Sequence, residues 1–352
     1  MQDISAAGAA PFAWPAGSAT GAGSMPGISP AEAMAVITGE LPDFPHLAEL
    51  PGRGAGADMI GRTAALLVDL PVETTPRGWR FAARPGRDQR RAADLLEADL
   101  DAAQQAAEDY AGPFKIQLAG PWTMAASVEL SRSQDPALAD PGAVDDLIAS
   151  LAEGVAAHVS EVRKRIPGAQ LVLQLDEPAL PAVAGGAVPT ASGLNRVGPV
   201  DHTAASAGLA AMWPAGTALT LVHCCARGIP FGLIKESRAG GLGFDLSQLR
   251  RGDEEGVAEL AEAGLAIFAG ALNTHKRERV TRPAPVTARE IARHVIELWH
   301  QAGMPAGRLA GQVVITPACG LAGFTPEAAA VALACCREAA RIMPEMAQEG
   351  TQ

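Results

Sequence analysis

Short apolar runs alternate along this chain with longer stretches of helical pattern. The runs are rich in Val, Leu and Ile, which is typical of strands buried on both faces of a parallel sheet. The clearest predicted strands are Phe114–Ala119, Leu171–Leu175, Ala218–His223, Leu242–Leu246, Leu265–Ala269 and Gln312–Thr316, with weaker candidates at Ala19–Ser24 and His46–Leu50. The pattern therefore predicts about eight strands.

The stretches between these runs predict helices, and several have marked starts. Predicted helices cover residues 91–110, 142–165, 287–302 and 326–342. Ser29, Thr287 and Thr325 are N-cap residues followed by a first-turn proline or a glutamate three positions on. Strands that alternate with helices build either a closed barrel or an open Rossmann-like sheet, and both architectures fit the pattern.

Composition and charge narrow the classes of function. The 352 residues are 48% hydrophobic and 19% charged, as in a soluble protein, and the net charge of −11 disfavours binding to nucleic acid. An apolar run long enough to span a membrane and a signal-peptide pattern are both missing, so we expect a cytoplasmic protein with no membrane partner. The odd number of cysteines indicates reduced thiols used for metal binding or catalysis, namely Cys224, Cys225, Cys319, Cys335 and Cys336.

The sequence LVHCCARG contains the strongest chemical signal. Side chains two positions apart on a strand point the same way, so His223 and Cys225 face one side together and Cys224 faces the other. Cys319 follows a later strand end in the sequence ITPACG. Imidazole and thiolate are ligands that zinc prefers, and strand ends in a barrel converge on one face. A buried histidine beside small cysteines remains the simpler alternative.

Three further segments carry candidate groups at predicted strand ends. Asp245 interrupts an apolar strand, which suits either a fourth metal ligand or a salt bridge. Asp176 and Glu177 end another strand, where they can hold a substrate ammonium, accept a proton or form a solvated turn. His275 also follows a strand end and can act as a general acid near neutral pH, although a histidine without a catalytic role is the simpler alternative. Cys335 and Cys336 lie in the middle of a predicted helix and are assigned to the core.

These segments, in this order, resemble the C-terminal barrel of cobalamin-independent methionine synthase, over about residues 18–342. The resemblance implies a (β/α)8 TIM barrel of the uroporphyrinogen decarboxylase type, which we expect as a single domain over residues 18–345 after a flexible extension at residues 1–17. The resemblance rests on Gly23-Ser24, Gly120-Pro121, Asp176–Leu180 (DEPAL), His223-x-Cys225, Asp245, His275 and Cys319-Gly320-Leu321.

The resemblance also implies roles for these residues. Zn²⁺ would be bound by a set of four side chains, with Asp245 standing where the family carries Glu; the set is His223, Cys225, Asp245 and Cys319. Gly23, Ser24, Asp176 and Glu177 would form the site for the amino-acid end of homocysteine. His275 would give a proton to the leaving group of the methyl donor, and the product would be methionine.

Departures from the family concern the methyl donor. Ala182 and Gly61 stand where the family carries glutamates, and Trp122 comes too early to be its stacking tryptophan. The resemblance covers only the second of two barrels found in full-length enzymes. The donor is therefore either methyltetrahydrofolate or a methylcorrinoid, the latter with a corrinoid protein as partner.

Two other functions remain open on the sequence. Related barrels alkylate another small thiol, such as coenzyme M, but a sulfonate thiol needs cations whereas Asp176 is suited to an ammonium group. A non-catalytic barrel with a structural zinc is the second alternative. Structural zinc sites are usually closed sets of Cys and His, so the carboxylate of Asp245 argues against it.

Overall fold

The core of the molecule is a curved parallel sheet wrapped by helices. The computed structural model describes residues 12–274 and 287–349, and within these ranges six parallel strands pair in the order β3-β5-β6-β7-β8-β9. The strands of this sheet are β3 (Gly112–Ala119), β5 (Ala169–Asp176), β6 (Leu219–Cys224), β7 (Gly241–Asp245), β8 (Ala266–Leu272) and β9 (Val313–Pro317). All six predicted clear strands are confirmed.

Two extended segments close this sheet into a barrel. The first closing segment, residues 18–25, pairs with β9 through the parallel bridge Ala19–Ile315 and with the second closing segment, residues 45–50, through Ser24–Glu49. The second closing segment reaches β3 through the bridge His46–Lys115. The two weaker predictions thus fall on barrel positions, although they form isolated bridges rather than regular strands. The eight positions complete the expected TIM barrel.

Helices cover the outer face of the barrel, as the alternating pattern requires. Capping is seen at all three predicted starts: Ser29 accepts from the backbone of Glu32, Thr287 forms a capping box with Glu290, and Thr325 accepts from the backbone of Ala328. The helices are α1 (Pro30–Glu40), α2 (Met59–Ala64), α3 (Arg87–Ala106), α4 (Pro121–Ser127), α5 (Pro141–Arg165), α6 (Leu180–Ala184), α7 (His202–Ala210), α8 (Phe231–Glu236), α9 (Asp253–Glu262), α10 (Ala288–Gln301), α11 (Ala306–Gln312) and α12 (Pro326–Glu349).

A small second sheet was not predicted from the sequence. It joins a hairpin of β1 (Val72–Thr75) and β2 (Gly78–Phe81) to the short strand β4 (Val128–Glu129). Strands of two to four residues give too few alternating positions to form a recognisable pattern.

The interior of the barrel is apolar at one end and polar at the other. Side chains of Trp14, Phe44 and Phe268 pack together with ring centroids 5.4 to 6.1 Å apart. Above them the inward positions of β3 carry Lys115 and Gln117, which are fully buried. Because alternate residues face inward, this polar layer lies on the path to the carboxyl ends of the strands.

The N-terminal region contributes to the apolar end. Trp14 is buried inside the barrel, so the residues just before the first closing segment pack against the domain. Residues 1–11 lie outside the described ranges, and the predicted domain limits stay a prediction. None of the helices described here has the length and apolar character needed to cross a bilayer.

Close packing of α5 against the α2 turn yields a test of the fold. A Cβ at Gly154 would lie 1.9 Å from the Leu66 carbonyl oxygen, so we expect Gly154→Ala to lower the free energy of unfolding by about 1–3 kcal/mol. The control Gly39→Ala lies in α1 with open space around it and is expected to be neutral or stabilising by up to about 1 kcal/mol. Equal effects in denaturant unfolding would contradict this packing.

Candidate active site

Two cysteines distant in sequence meet at the carboxyl end of the barrel. Cys225 directly follows β6, and Cys319 lies two residues beyond β9. Their Sγ atoms are 4.0 Å apart. Two thiolates bound to one tetrahedral zinc through bonds of 2.3 Å would be about 3.8 Å apart. The spacing therefore suits two ligands of one metal ion.

His223 is held at this end of the barrel by its neighbour in the sheet. Its Nδ1 lies 2.8 Å from Oδ1 of Asp176, and both residues are buried. A carboxylate only accepts hydrogen bonds, so in the neutral ring the proton is on Nδ1 and Nε2 keeps its lone pair. Gln174 also donates to Asp176 Oδ1, at 2.7 Å. This arrangement orients the imidazole in the way that metal-ligating histidines require.

The charges of these groups act on one another. Burial lowers the pKa of His223, but the hydrogen bond and charge of Asp176, together with Cys319, outweigh it and the net shift is upward. The two thiols share one hydrogen bond, and this coupling lowers the pKa of Cys319 and raises that of Cys225. Cys319 is thus the more readily ionised of the two thiols.

Ser24 lies against the turn that carries Cys319. Its carbonyl oxygen accepts from the Leu321 backbone at 2.7 Å, and a Cβ at Gly320 would lie 1.8 Å from its Oγ. Gly23 packs closely on the side chain of Gln117, where a Cβ would meet Cγ at 2.9 Å. The structure therefore brings the Gly23-Ser24 pair to the thiol end of the barrel.

Asp245 ends β7 with its side chain buried. Its Oδ1 accepts from the Ser247 backbone at 2.8 Å and so caps the single turn of residues 246–248. Within residues 12–274 and 287–349, no three His, Cys, Asp or Glu side chains are gathered closely enough to hold a metal ion. Of the four predicted zinc ligands, the structure brings Cys225 and Cys319 together, with His223 at the same end of the barrel. The set of four stays a prediction.

Glu177 has partners that the sequence did not suggest. Its carboxylate is fully buried and accepts from the backbone of Trp122 at 2.9 Å and from the backbone and hydroxyl of Thr123 at 2.8 and 2.7 Å. These donors lie in the first turn of α4. Burial raises the pKa of Glu177 to about 7, against these hydrogen bonds. In this structure Glu177 ties β5 to α4, and its predicted substrate contact stays untested.

The positions that the sequence analysis compared with the family's donor-binding residues are enclosed where the structure describes them. The indole of Trp122 is buried and donates to the Ala205 carbonyl at 2.9 Å, which leaves it no exposed face for stacking. Gly61 is buried in α2, where a Cβ would lie 1.7 Å from the Ala55 carbonyl oxygen. His275 lies outside the described residues, so its role as proton donor stays a prediction.

Four buried polar residues near the site were missed by sequence reasoning. Lys115 donates to the Ala22 carbonyl at 3.1 Å, and Gln174 donates to the same oxygen at 2.8 Å. Burial lowers the pKa of Lys115 to about 7, whereas the charges of Asp176 and Glu49 raise it. For Lys115 in β3 and Gln174 in β5 a signal was present, because polar residues at alternate positions of apolar strands mark an inward-facing site. The four residues are Glu49, Arg62, Lys115 and Gln174.

Comparison with known proteins identifies the family. The model of the cobalamin-independent synthase catalytic domain matches residues 18–342. The chain belongs to this family. This result confirms the family suggested by the motifs, and the match covers the whole barrel.

Solved structures agree on the fold. A B12-independent methionine synthase from Shewanella sp. W3-18-1, in complex with selenomethionine, matches with a TM-score of 0.59 and 13% identity, over 95% of this chain and 99% of that chain. A putative alpha-L-fucosidase from Bacteroides thetaiotaomicron VPI-5482 matches with a TM-score of 0.27 and 12% identity, over 75% and 80% of the two chains, which is too distant to carry an argument. The curated proteins gave no match.

The pairing of Cys225 and Cys319 predicts that Cys319 reacts at unusually low pH in protein from which a chelator has removed any metal. We expect the reaction of Cys319 with iodoacetamide to have its midpoint below about pH 8.5, where an ordinary thiol titrates. Cys225→Ala removes the hydrogen bond and should move this midpoint upward, measured by mass spectrometry of the modified peptide. The buried Cys336 serves as the unreactive control. Midpoints near pH 8.5 in both proteins would contradict the pairing.

The contacts of Glu177 predict a structural effect. Glu177→Gln places an amide N–H₂ among donors that need an acceptor, so we expect a loss of about 1–3 kcal/mol in the free energy of unfolding. Glu129→Gln is the matched control, because Glu129 pairs with the half-exposed Arg77 at 3.0 Å and such pairs are worth about 0–1 kcal/mol. Urea unfolding measures the loss in the free energy of unfolding for each variant. Equal losses in the two variants would contradict the structural role of Glu177.

Proposed function

We propose that this protein transfers a methyl group to the thiol of homocysteine in a zinc-dependent reaction that yields methionine. The observation that carries the proposal is the sulfur pair of Cys225 and Cys319, 4.0 Å apart at the carboxyl face of a barrel of the cobalamin-independent synthase family. The similar structure of a methionine synthase in complex with selenomethionine supports the same substrate class.

The donor set suits zinc. His223, Cys225 and Cys319 would hold the ion, with Asp245 as a fourth, carboxylate ligand. Bound zinc supplies the chemistry that neutral thiols lack, because it keeps a coordinated thiol ionised at neutral pH. Two thiolates and a carboxylate would give the site a net charge of −1 and so favour an electron-rich, nucleophilic sulfur.

The remaining groups of the site bind and orient the substrate. Asp176 keeps His223 in the tautomer that leaves Nε2 free, and its Oδ2 accepts no hydrogen bond from the described residues. That oxygen is available to the substrate ammonium. Ser24, beside the Cys319 turn, would contact the carboxylate end of the same amino acid. These contacts favour homocysteine over coenzyme M, whose sulfonate would meet an acid at Asp176.

The methyl donor is methyltetrahydrofolate or a methylcorrinoid. In either case the leaving group departs more readily when protonated or when its metal accepts the electron pair, and His275 is the proposed proton donor for the folate case. Trp122, buried against α7, and Gly61, enclosed by the Ala55 carbonyl, offer no folate contact. These positions favour the methylcorrinoid, delivered by a corrinoid protein.

Metal analysis and a methyl-transfer assay test the proposal together. We expect about one zinc per chain, methionine formation with homocysteine and one of the two donors, and loss of activity on chelation that zinc restores. Cys319→Ser removes a proposed zinc ligand and should lower the zinc content. Activity should fall at least about 100-fold, because the homocysteine thiol is then no longer activated by the metal. Cys335→Ser, half-buried in α12, is the control and should keep both.

Zinc-loaded protein that forms no methionine with either donor would overturn the proposed function. Loss of the fold on chelation, with no thiol binding in the loaded protein, would instead indicate the structural-zinc alternative.

A further inference from the structure

Gln174 is a buried amide that reaches the site from inside the barrel. It lies in β5 two residues before Asp176, so both side chains point to the same side of the sheet. The residue is 3% exposed. Asp176 is paired in register with His223 on β6. Gln174 therefore lies one inward position below the contact that orients the imidazole of His223.

Both N–H bonds of the Gln174 amide are used, and they point to two different parts of the chain. Nε2 donates to Oδ1 of Asp176 at 2.7 Å and to the Ala22 carbonyl at 2.8 Å. Because both partners are acceptors, only the amide orientation that turns the NH₂ group toward them fits. The amide is thus fixed between β5 and the first closing segment.

The Ala22 carbonyl is a point at which the first closing segment is held from two strands. It accepts from Gln174 of β5 and also from the ammonium of Lys115 in β3, at 3.1 Å. Lys115 is fully buried. Ala22 directly precedes Gly23-Ser24, which lies against the turn of Cys319. The anchor of Gln174 therefore belongs to the same segment that borders the thiols.

The Asp176 carboxylate depends on Gln174 for its orientation. Among the described residues its donors are His223 Nδ1 and Gln174 Nε2, and both reach Oδ1, at 2.8 and 2.7 Å. Rotation of a carboxylate about its Cβ–Cγ bond is soft. A single donor leaves this rotation open, whereas a second donor that is anchored on another segment restricts it. The plane of the carboxylate then sets the direction of the imidazole.

We propose that Gln174 is a positioning residue that, through Asp176, fixes the direction in which His223 presents Nε2 to a metal ion. The inference rests on the proposed function, since it requires a metal bound by His223. A donor to the carboxylate also favours its ionised form, which is the form that accepts the Nδ1 proton. The neighbouring buried amide of Gln117 donates instead to the Leu47 carbonyl, at 2.8 Å.

Metal binding by Gln174→Met tests the inference. Methionine has a similar length but no N–H donor, so the carboxylate of Asp176 keeps only its bond to His223. Competition with a chromophoric chelator measures the Kd for zinc, which we expect to rise about 10-fold, as when an outer partner of a metal-ligating histidine is lost. The absorption bands of Co²⁺-substituted protein should also shift, because they depend on the geometry of the ligands.

Gln312→Met is the matched control. Gln312 is a buried amide at the amino end of β9, and its Nε2 donates to the carbonyls of Ala261 and Leu265 at 2.6 and 2.8 Å. Its replacement also removes two buried hydrogen bonds and should lower Tm, but the Kd for zinc and the Co²⁺ spectrum should stay as in the wild type. Gln174→Glu is a second variant, which replaces the donors by acceptors and should weaken zinc binding as well.

Unchanged zinc affinity and an unchanged Co²⁺ spectrum in both Gln174 variants would overturn the inference, while the proposed function would stand. Equal weakening of zinc binding in Gln312→Met would also overturn it, because a general loss of stability would then explain the effect. If neither Gln174 variant folds, Gln174 is structural and the inference fails. Wild-type protein that binds no zinc would remove the inference together with the zinc-dependent function.

Discussion

In a closed barrel of parallel strands every carboxyl end reaches the same face, and at that face Asp176 and His223 lie opposite each other in the register of β5 and β6. Their hydrogen bond joins two neighbouring strands at the end of the barrel where Cys225 follows β6 and Cys319 follows β9. The position of the imidazole, the ring nitrogen that stays free, and the choice of the Asp176 oxygen that is engaged all follow from this one contact.

A layer of buried polar side chains lies beneath the site and holds the two closing segments in place. Lys115, Gln117 and Gln174 are buried inside the barrel, above an apolar end filled by Trp14 and Phe268. Their hydrogen bonds go largely to carbonyl groups of the two closing segments, such as Ala22 and Leu47. The side chains therefore satisfy backbone groups that irregular pairing leaves open, and in doing so they hold the segment that carries Ser24.

Sequence reasoning succeeded where the physical signal is local. The six apolar strands and the capping box at Thr287 depend on neighbouring residues, and both are present in the structure. Contacts between residues that are far apart in the sequence were predicted less well. Glu177 looked like a mouth residue, but its donors are Trp122 and Thr123, more than fifty positions away in the chain. The short hairpin of β1 and β2 was missed because it has too few residues for a pattern.

The sequence by itself determined the alternation of strand and helix, the family and the residue types able to bind a soft metal, because these follow from periodicity and from motifs of a few residues. Only the tertiary structure decided which candidates meet. Closure of the barrel brings Cys319 to within 4.0 Å of Cys225 across 94 positions of chain, and it places Glu49 beside Ser24. Such distances depend on how the strands are ordered around the barrel, and no local pattern of residues encodes that order.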